Sequence, residues 1–151
     1  MNVGALCKKN PVTVREFDEL TAAAKLMREQ HVGYLVVVEP SAADGSYRPI
    51  GVLTDRDIVV GVVAREVDPR TLRVGDLMSR RPVVADESGS VESALNHMRR
   101  IGVRRLPIVG RTGQLVGVLS LDDVLDTLTA EMITVSRSIQ NELRLETALR
   151  R

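Results

Sequence analysis

Tryptophan is absent from this chain of 151 residues, and Phe17, Tyr34 and Tyr47 are its only aromatic side chains. A surface that reads single-stranded nucleic acid by stacking bases needs several rings on one face, and three scattered rings do not supply it. A lone cysteine, Cys7, excludes an internal disulfide framework and suits a reducing compartment. Neither sign of charge is in excess: 21 Lys and Arg against 20 Asp and Glu leave a formal net charge of +1, so no global field draws in DNA or an anionic membrane. Long hydrophobic runs are missing too. The longest, around Ile58 to Ala64, falls far short of the roughly 20 apolar residues that span a bilayer, and Met1 to Asn10 lack the apolar segment of an export signal. These absences lead to the expectation of a soluble cytoplasmic protein with no membrane contact and with nucleic acid disfavoured as a partner.

Catalytic constellations are also scarce. Asp86-Glu87 and Asp122-Asp123 are adjacent pairs whose side chains diverge, a poor start for paired acid-base work. No Ser-His-Asp or Cys-His arrangement has a motif around it. His31 and His97 read as residues near the ends of helices, where a cation suits the dipole, and with Cys7 they lack the spacing of a zinc site. The expectation is a protein that is not an enzyme and requires no cofactor.

What the chain does have is a duplication. Val3-Gly4-x-Leu6 matches Val74-Gly75-x-Leu77, Pro11-Val12 matches Pro82-Val83, and Ala23, Met27 and Arg28 match Ala94, Met98 and Arg99, all at a spacing of 71 residues. Val32, Leu35 and Val38 continue the series at Val103, Leu106 and Val109. Further on, Gly51 to Ile58 (GVLTDRDI) matches Gly117 to Val124 (GVLSLDDV) at a spacing of 66. The difference falls between Val38 and Gly51, in a turn-rich run that is shorter in the second copy, and length changes confined to a loop are what a structural repeat tolerates.

Each copy carries the same order of elements. A short strand after the proline (Val12 to Val14, Val83 to Ala85) leads to a helix whose N-cap is expected at Asp18 or Ser90. Two strands joined by a Gly-containing hairpin follow, Tyr34 to Val38 with Ile50 to Leu53, and Arg105 to Val109 with Leu115 to Leu119. A second helix then starts at Asp55 or Leu121. The predicted organisation is an α/β (α+β) protein of two βαββα repeats packed as a pseudo-twofold pair, at 1–64 and 74–130, with a linker at 65–73 and a helical tail at 131–151. One copy alone has too little apolar surface to stand by itself.

The duplicated G-V-L-[ST]-x-x-D segments, in this order of elements, resemble a tandem pair of cystathionine-β-synthase (CBS) domains, from Val3 to about Leu128. The resemblance implies clefts between paired sheets that bind adenosine-containing ligands. The hydroxyl and acid of the motif would hold phosphate and ribose, giving Thr54 and Asp57 for one cleft and Ser120 and Asp123 for the other. Strand backbone and apolar side chains would sandwich the base, which points to Thr13, Val14, Tyr34 and Leu35 and to Val84, Leu106 and Pro107. It further implies AMP, ADP, ATP or S-adenosylmethionine as ligand, a homodimer, and an unidentified protein partner that receives the signal.

Chemistry independent of the resemblance agrees in part. A carboxylate accepts bonds from vicinal ribose hydroxyls, and a helix N-terminus after a strand favours phosphate. Arg56 stands beside that junction in the first copy where Asp122 stands in the second, so the clefts should differ in anion affinity. Arg104 and Arg105 precede Leu106 where the first copy has Gly33 and Tyr34, and the sequence leaves open which cleft each arginine serves. Thr54-x-x-Asp57 and Ser120-x-x-Asp123 are equally capable of being helix-capping boxes, and a ligand-free dimerisation scaffold is the rival reading. Beyond the repeats, Leu121 to Arg151 contain no Gly or Pro, and Leu125, Leu128, Met132, Val135 and Ile139 recur at alternating spacings of three and four. That is the period of a coiled-coil seam. It predicts one long helix that either folds back on its own repeats or packs on a second copy.

Overall fold

The computed structural model describes residues 1–150. Its elements in chain order are α1 (Val3–Leu6), β1 (Lys8–Lys9), β2 (Thr13–Arg15), α2 (Leu20–Gln30), β3 (Tyr34–Pro40), β4 (Tyr47–Thr54) and α3 (Asp55–Ile58), which a π-helical turn at Val59–Val63 extends. A 3-10 turn at Pro69–Thr71 lies in the linker. The second half repeats the series with α4 (Val74–Leu77), β5 (Ser79–Arg80), β6 (Ala85–Asp86), α5 (Val91–Ile101), β7 (Arg105–Val109), β8 (Leu115–Ser120) and α6 (Leu121–Leu149). Both βαββα repeats and the long terminal helix are present, as the sequence predicts. No helix among the described residues is long and apolar enough to cross a membrane.

Two four-stranded sheets form, with strand orders β2-β3-β4-β5 and β1-β8-β7-β6. Each is a parallel pair (β2 with β3, β6 with β7) continued by an antiparallel hairpin. The outermost strand of each sheet comes from the other repeat. Lys8 and Lys9 pair with Val118 and Gly117, while Ser79 and Arg80 pair with Val52 and Gly51. The short strands β1 and β5 have no apolar period and escape a reading based on hydrophobic pattern.

The same exchange runs through the cores. One gathers Val14, Leu20, Ala23, Met27, Leu35, Val37 and Leu53 with Val74 and Met78 of the second repeat. The other gathers Ala94, Met98, Leu106, Ile108, Leu119 and Val124 with Val3 and Cys7 of the first. Backbone bonds fasten both exchanged segments alike: the Val74 and Gly75 amides donate to the Asp18 and Glu16 carbonyls, and the Val3 and Gly4 amides to the Gly89 and Glu87 carbonyls. This correspondence, residue by residue at the repeat spacing, is the pseudo-twofold relation.

Local details differ from expectation at three places. The first strands sit slightly later than Val12 to Val14 and Val83 to Ala85. The N-cap of α2 is Glu19 and not Asp18, because the Asp18 carboxylate instead accepts from the Arg15 amide (2.8 Å) and the helix start is tied to the linker by the Leu20 amide donating to the Leu72 carbonyl. Ser90 caps α5 as predicted, its hydroxyl accepting from the Ser93 amide. His97 lies in the middle of α5 and not near its end, while His31 is the C-cap of α2 in the left-handed conformation (φ 54°) that Gly102 supplies in the second repeat (φ 72°).

Glycine at the head of each duplicated motif permits the strand exchange. A Cβ on Gly51 would stand 2.7 Å from the Ser79 carbonyl oxygen and 2.9 Å from Met78 Sδ, and one on Gly117 would press on the Lys8 carbonyl and stand 2.9 Å from Cys7 Sγ. Overpacking of this kind costs typically about 1–3 kcal/mol. Gly117→Ala should therefore lower stability by that order in a denaturant melt, and hydrogen exchange should show lost protection concentrated in Val3 to Lys9. Unchanged protection there would mean that β1 does not depend on the bare backbone of β8.

Candidate functional site

The exchange leaves a cleft of about 420 Å³ where β1 and the following turn cross the end of β8. One wall is Lys8 to Val12, a second is His31 to Tyr34 with Val36, and a third is Arg105, Val118, Ser120, Asp122 and Asp123. Apolar side chains (Val12, Val32, Val118) line it together with cations and carboxylates, the mixture expected of a site for a small amphipathic ligand.

Its polar floor is the N-terminus of α6. Ser120, the one buried polar residue among the described residues, accepts from the Asp123 amide (3.1 Å) through its hydroxyl and donates to Asp123 Oδ2 (2.5 Å). The Ser120 amide donates to the same carboxylate oxygen, closing a reciprocal capping box. The other oxygen, Oδ1, receives Lys8 Nζ at 3.0 Å, so the exchanged strand reaches the motif electrostatically as well. Burial alone would push the Asp123 carboxyl up, but the Ser120 hydroxyl, Lys8 and the Ser120 amide together hold it below its usual value. At the rim Asp122 pairs with Arg104 at 3.1 Å. The Arg105 guanidinium lies 5.8 Å from the centroid of the Tyr34 ring, and burial pushes the Tyr34 hydroxyl well above its ordinary range, which Arg105 offsets only in part.

The first-repeat motif is built differently. Thr54 and Asp57 form the equivalent capping box, with the Asp57 amide donating to Thr54 Oγ1 (3.1 Å) and the Thr54 amide to Asp57 Oδ2 (2.9 Å). However, α3 has only four residues before the π-helical turn, whereas α6 has 29. A macrodipole needs several aligned turns. Ser79 stands where Lys8 stands in the other half, and no cation lies within ion-pair distance of Asp57 among the described residues.

Of the residues named from sequence, Tyr34, Arg105, Ser120, Asp122 and Asp123 come together in the cleft, with Arg104 attached at its rim through Asp122. The structure thus places Arg105 with the second-repeat motif. Thr54, Arg56 and Asp57 lie outside this cleft. Leu35, Leu106 and Pro107 are fully buried core residues and Val14 is nearly so, which leaves only their backbone for a neighbour beyond the core. Thr13 lies in a shallow depression beside α2, and Val84 in a groove with Arg48, Arg80 and Arg81. Sequence reasoning missed Lys8, Lys9, Asn10 and Val12 as cleft residues, and read His31 only as a helix end. Nothing local marks them, since their role comes from the crossing of β1 onto the other repeat's sheet.

The depressed Asp123 carboxyl has a consequence for acid stability. A carboxyl whose folded value lies below its unfolded one stabilises the fold above the ordinary carboxylate range, and that contribution is lost as pH falls through the folded value. Below about pH 5, Asp123→Asn should show a shallower loss of melting temperature with acid than the wild type, while their curves run parallel near neutrality. Parallel curves throughout would mean that the Ser120 and Lys8 contacts do not hold the ionised form.

A family model for the CBS domain matches residues 3–63 and 74–130. Hypoxic response protein 1 of Mycobacterium tuberculosis is 37% identical over 124 residues, covering 82% of this chain and 78% of that protein. The crystal structure of Hypoxic Response Protein I with two coordinated zinc ions superposes with a TM-score of 0.70 at 32% identity, covering 83% of this chain and 98% of that one. In this chain, no group of three His, Cys, Asp or Glu among the described residues is placed to hold a metal ion. A CBS domain protein from Pyrobaculum aerophilum, complexed with AMP, superposes with a TM-score of 0.71 at 28% identity, covering 82% of this chain and 89% of that one. The duplicated motif, the exchanged sheets and these matches agree, and the chain belongs to the CBS-domain family as a tandem pair.

Proposed function

We propose that this chain is a non-catalytic regulatory module that binds one adenine nucleotide in the cleft at the Ser120 and Asp123 motif. The observation that carries the reading is the convergence in one cleft of a long-helix N-terminus, the Asp123 carboxylate, the cations Lys8, Lys9 and Arg105, and an apolar wall. Each element matches one part of such a ligand. Asp123 Oδ1 accepts from a ribose hydroxyl in place of Lys8, the start of α6 and the neighbouring cations receive phosphate, and Val12, Val32 and Val118 flank the base. The AMP bound to the Pyrobaculum relative supports the ligand class. Ser120 is engaged in the capping box and Asp123 with Lys8, which supports a binding role for the cleft.

In this reading Thr54 and Asp57 serve mainly as a helix cap, because the short α3 and the absence of a lysine counterpart leave that side a poor anion site. The working unit is a cytoplasmic homodimer whose output goes to a separate partner protein, with ligand occupancy altering the position of α1 and β1 against the second repeat's sheet.

Calorimetric titration of adenosine, AMP, ADP, ATP and S-adenosylmethionine into nucleotide-free protein tests the site. Binding should approach one ligand per chain. Asp123→Asn should weaken every ribose-bearing ligand roughly ten- to hundredfold, as expected for a hydrogen bond to a charged group. Arg105→Ala should cost the phosphorylated ligands and spare adenosine, and Asp57→Asn should lower stability without selective loss of binding. Wild type that takes up none of the five would leave the ligand-free scaffold as the better account.

A further inference from the structure

We propose that α6 is the docking surface for a second copy of this chain, paired helix against helix along Leu125, Leu128, Met132, Val135 and Ile139. This rests on the dimeric reading above and assigns its interface. The helix leaves the body of the protein rather than folding back on it: of its 29 residues only Val124 is buried. Leu125 is 62% exposed, Met132 73%, Val135 60% and Ile139 54%.

Size argues for a protein partner. The five seam residues, each about half to three-quarters exposed, leave on the order of 600 Å² of apolar side chain in water along one stripe, where monomeric proteins rarely leave a contiguous patch beyond a few hundred. A specific interface takes about 800 Å² per partner, of which roughly 60% is apolar, so the seam with the polar residues that border it is of the size a stable pairing needs.

Three features point to a copy of the same chain. First, alternating steps of three and four keep the stripe on one side of a slightly supercoiled helix, and such a seam needs a partner of the same period. An identical helix related by a twofold axis supplies that match by symmetry, and α6 is the only element of this length among the described residues. Second, from Thr127 to Asn141 the charged residues are Glu131 and Arg137 alone. Their signs cancel, so the stretch offers nothing to an anionic membrane or to a strongly charged partner, and two copies meet without a block of like charge. Third, hydroxyls bordering the seam are already satisfied within the helix: Thr127 donates to the Asp123 carbonyl (2.9 Å), Thr134 to Ala130 (3.0 Å) and Ser138 to Thr134 (3.0 Å). Covering them strands no donor.

The seam begins five residues after the capping serine of the cleft on the same uninterrupted helix. Any tilt of the first turn that accompanies ligand entry is therefore carried into the seam, and by linkage the ligand and the second copy change each other's affinity by the same factor.

Sedimentation equilibrium on the full chain tests the proposal. The wild type should be a dimer at concentrations of about 10 µM. Met132→Glu and Ile139→Glu, separately and together, place a carboxylate in the seam of each copy and should weaken the dimer by roughly a hundredfold or more. Both positions are exposed in the single chain, so thermal melts of the dissociated variants should still show folded repeats. Arg150→Glu, beyond the seam, should leave the dimer unchanged. A wild type that is monomeric at ten times this concentration overturns the dimeric reading together with the seam. A wild-type dimer that survives both substitutions overturns the seam alone.

Discussion

Everything in this molecule depends on the exchange of two short strands between repeats. Neither β1 nor β5 is longer than two residues, yet each closes the sheet of the other repeat and brings a short helix whose valine, Val3 or Val74, is completely buried in the opposite core. A single repeat would thus lose a sheet edge and part of its core. The two motif glycines make the close approach possible, since at Gly51 and Gly117 even a methyl group would collide with the backbone arriving from the other repeat.

The cleft is a by-product of that geometry. When β1 crosses to the second sheet it carries Lys8, Lys9 and Asn10 past the start of α6, where Ser120 and Asp123 are already held by a capping box. Capping and the proposed ligand contact are therefore compatible roles for these residues. The box fixes Asp123 Oδ2 inward and leaves Oδ1 facing Lys8 and the cleft, so the interactions that start the helix also orient the carboxylate. The pseudo-twofold mate has the same box without the long helix or the lysine, and duplicated backbone geometry thus supports two chemically different sites.

A long helix with its N-terminus in the cleft and its apolar stripe in solvent would join the proposed binding to the proposed assembly by simple mechanics. Peptide bonds hydrogen-bonded over eight turns make a rod, and Val124 seats only its first turn in the core. Its stripe is amphipathic in period and, apart from Val124, is not buried by the described residues.

The duplication, the order of strands and helices and the extent of α6 were all determined by the sequence, because they rest on local signals: apolar period, turn residues, a capping Ser90, and a run without Gly or Pro. The motif residues Ser120 and Asp123 were legible for the same reason, their chemistry being contained within four consecutive positions. What only the tertiary structure decided is which distant segments meet. Lys8 and Lys9 read as polar residues before a proline, Val3 and Cys7 as the start of the first repeat, and Arg105 as an arginine that could serve either cleft. The first four acquire their roles by pairing with the second repeat's sheet and core, and Arg105 by lying over Tyr34 of the first repeat, contacts set by sheet completion and core filling. No local pattern encodes such a pairing, and it is this pairing that separates one cleft from the other.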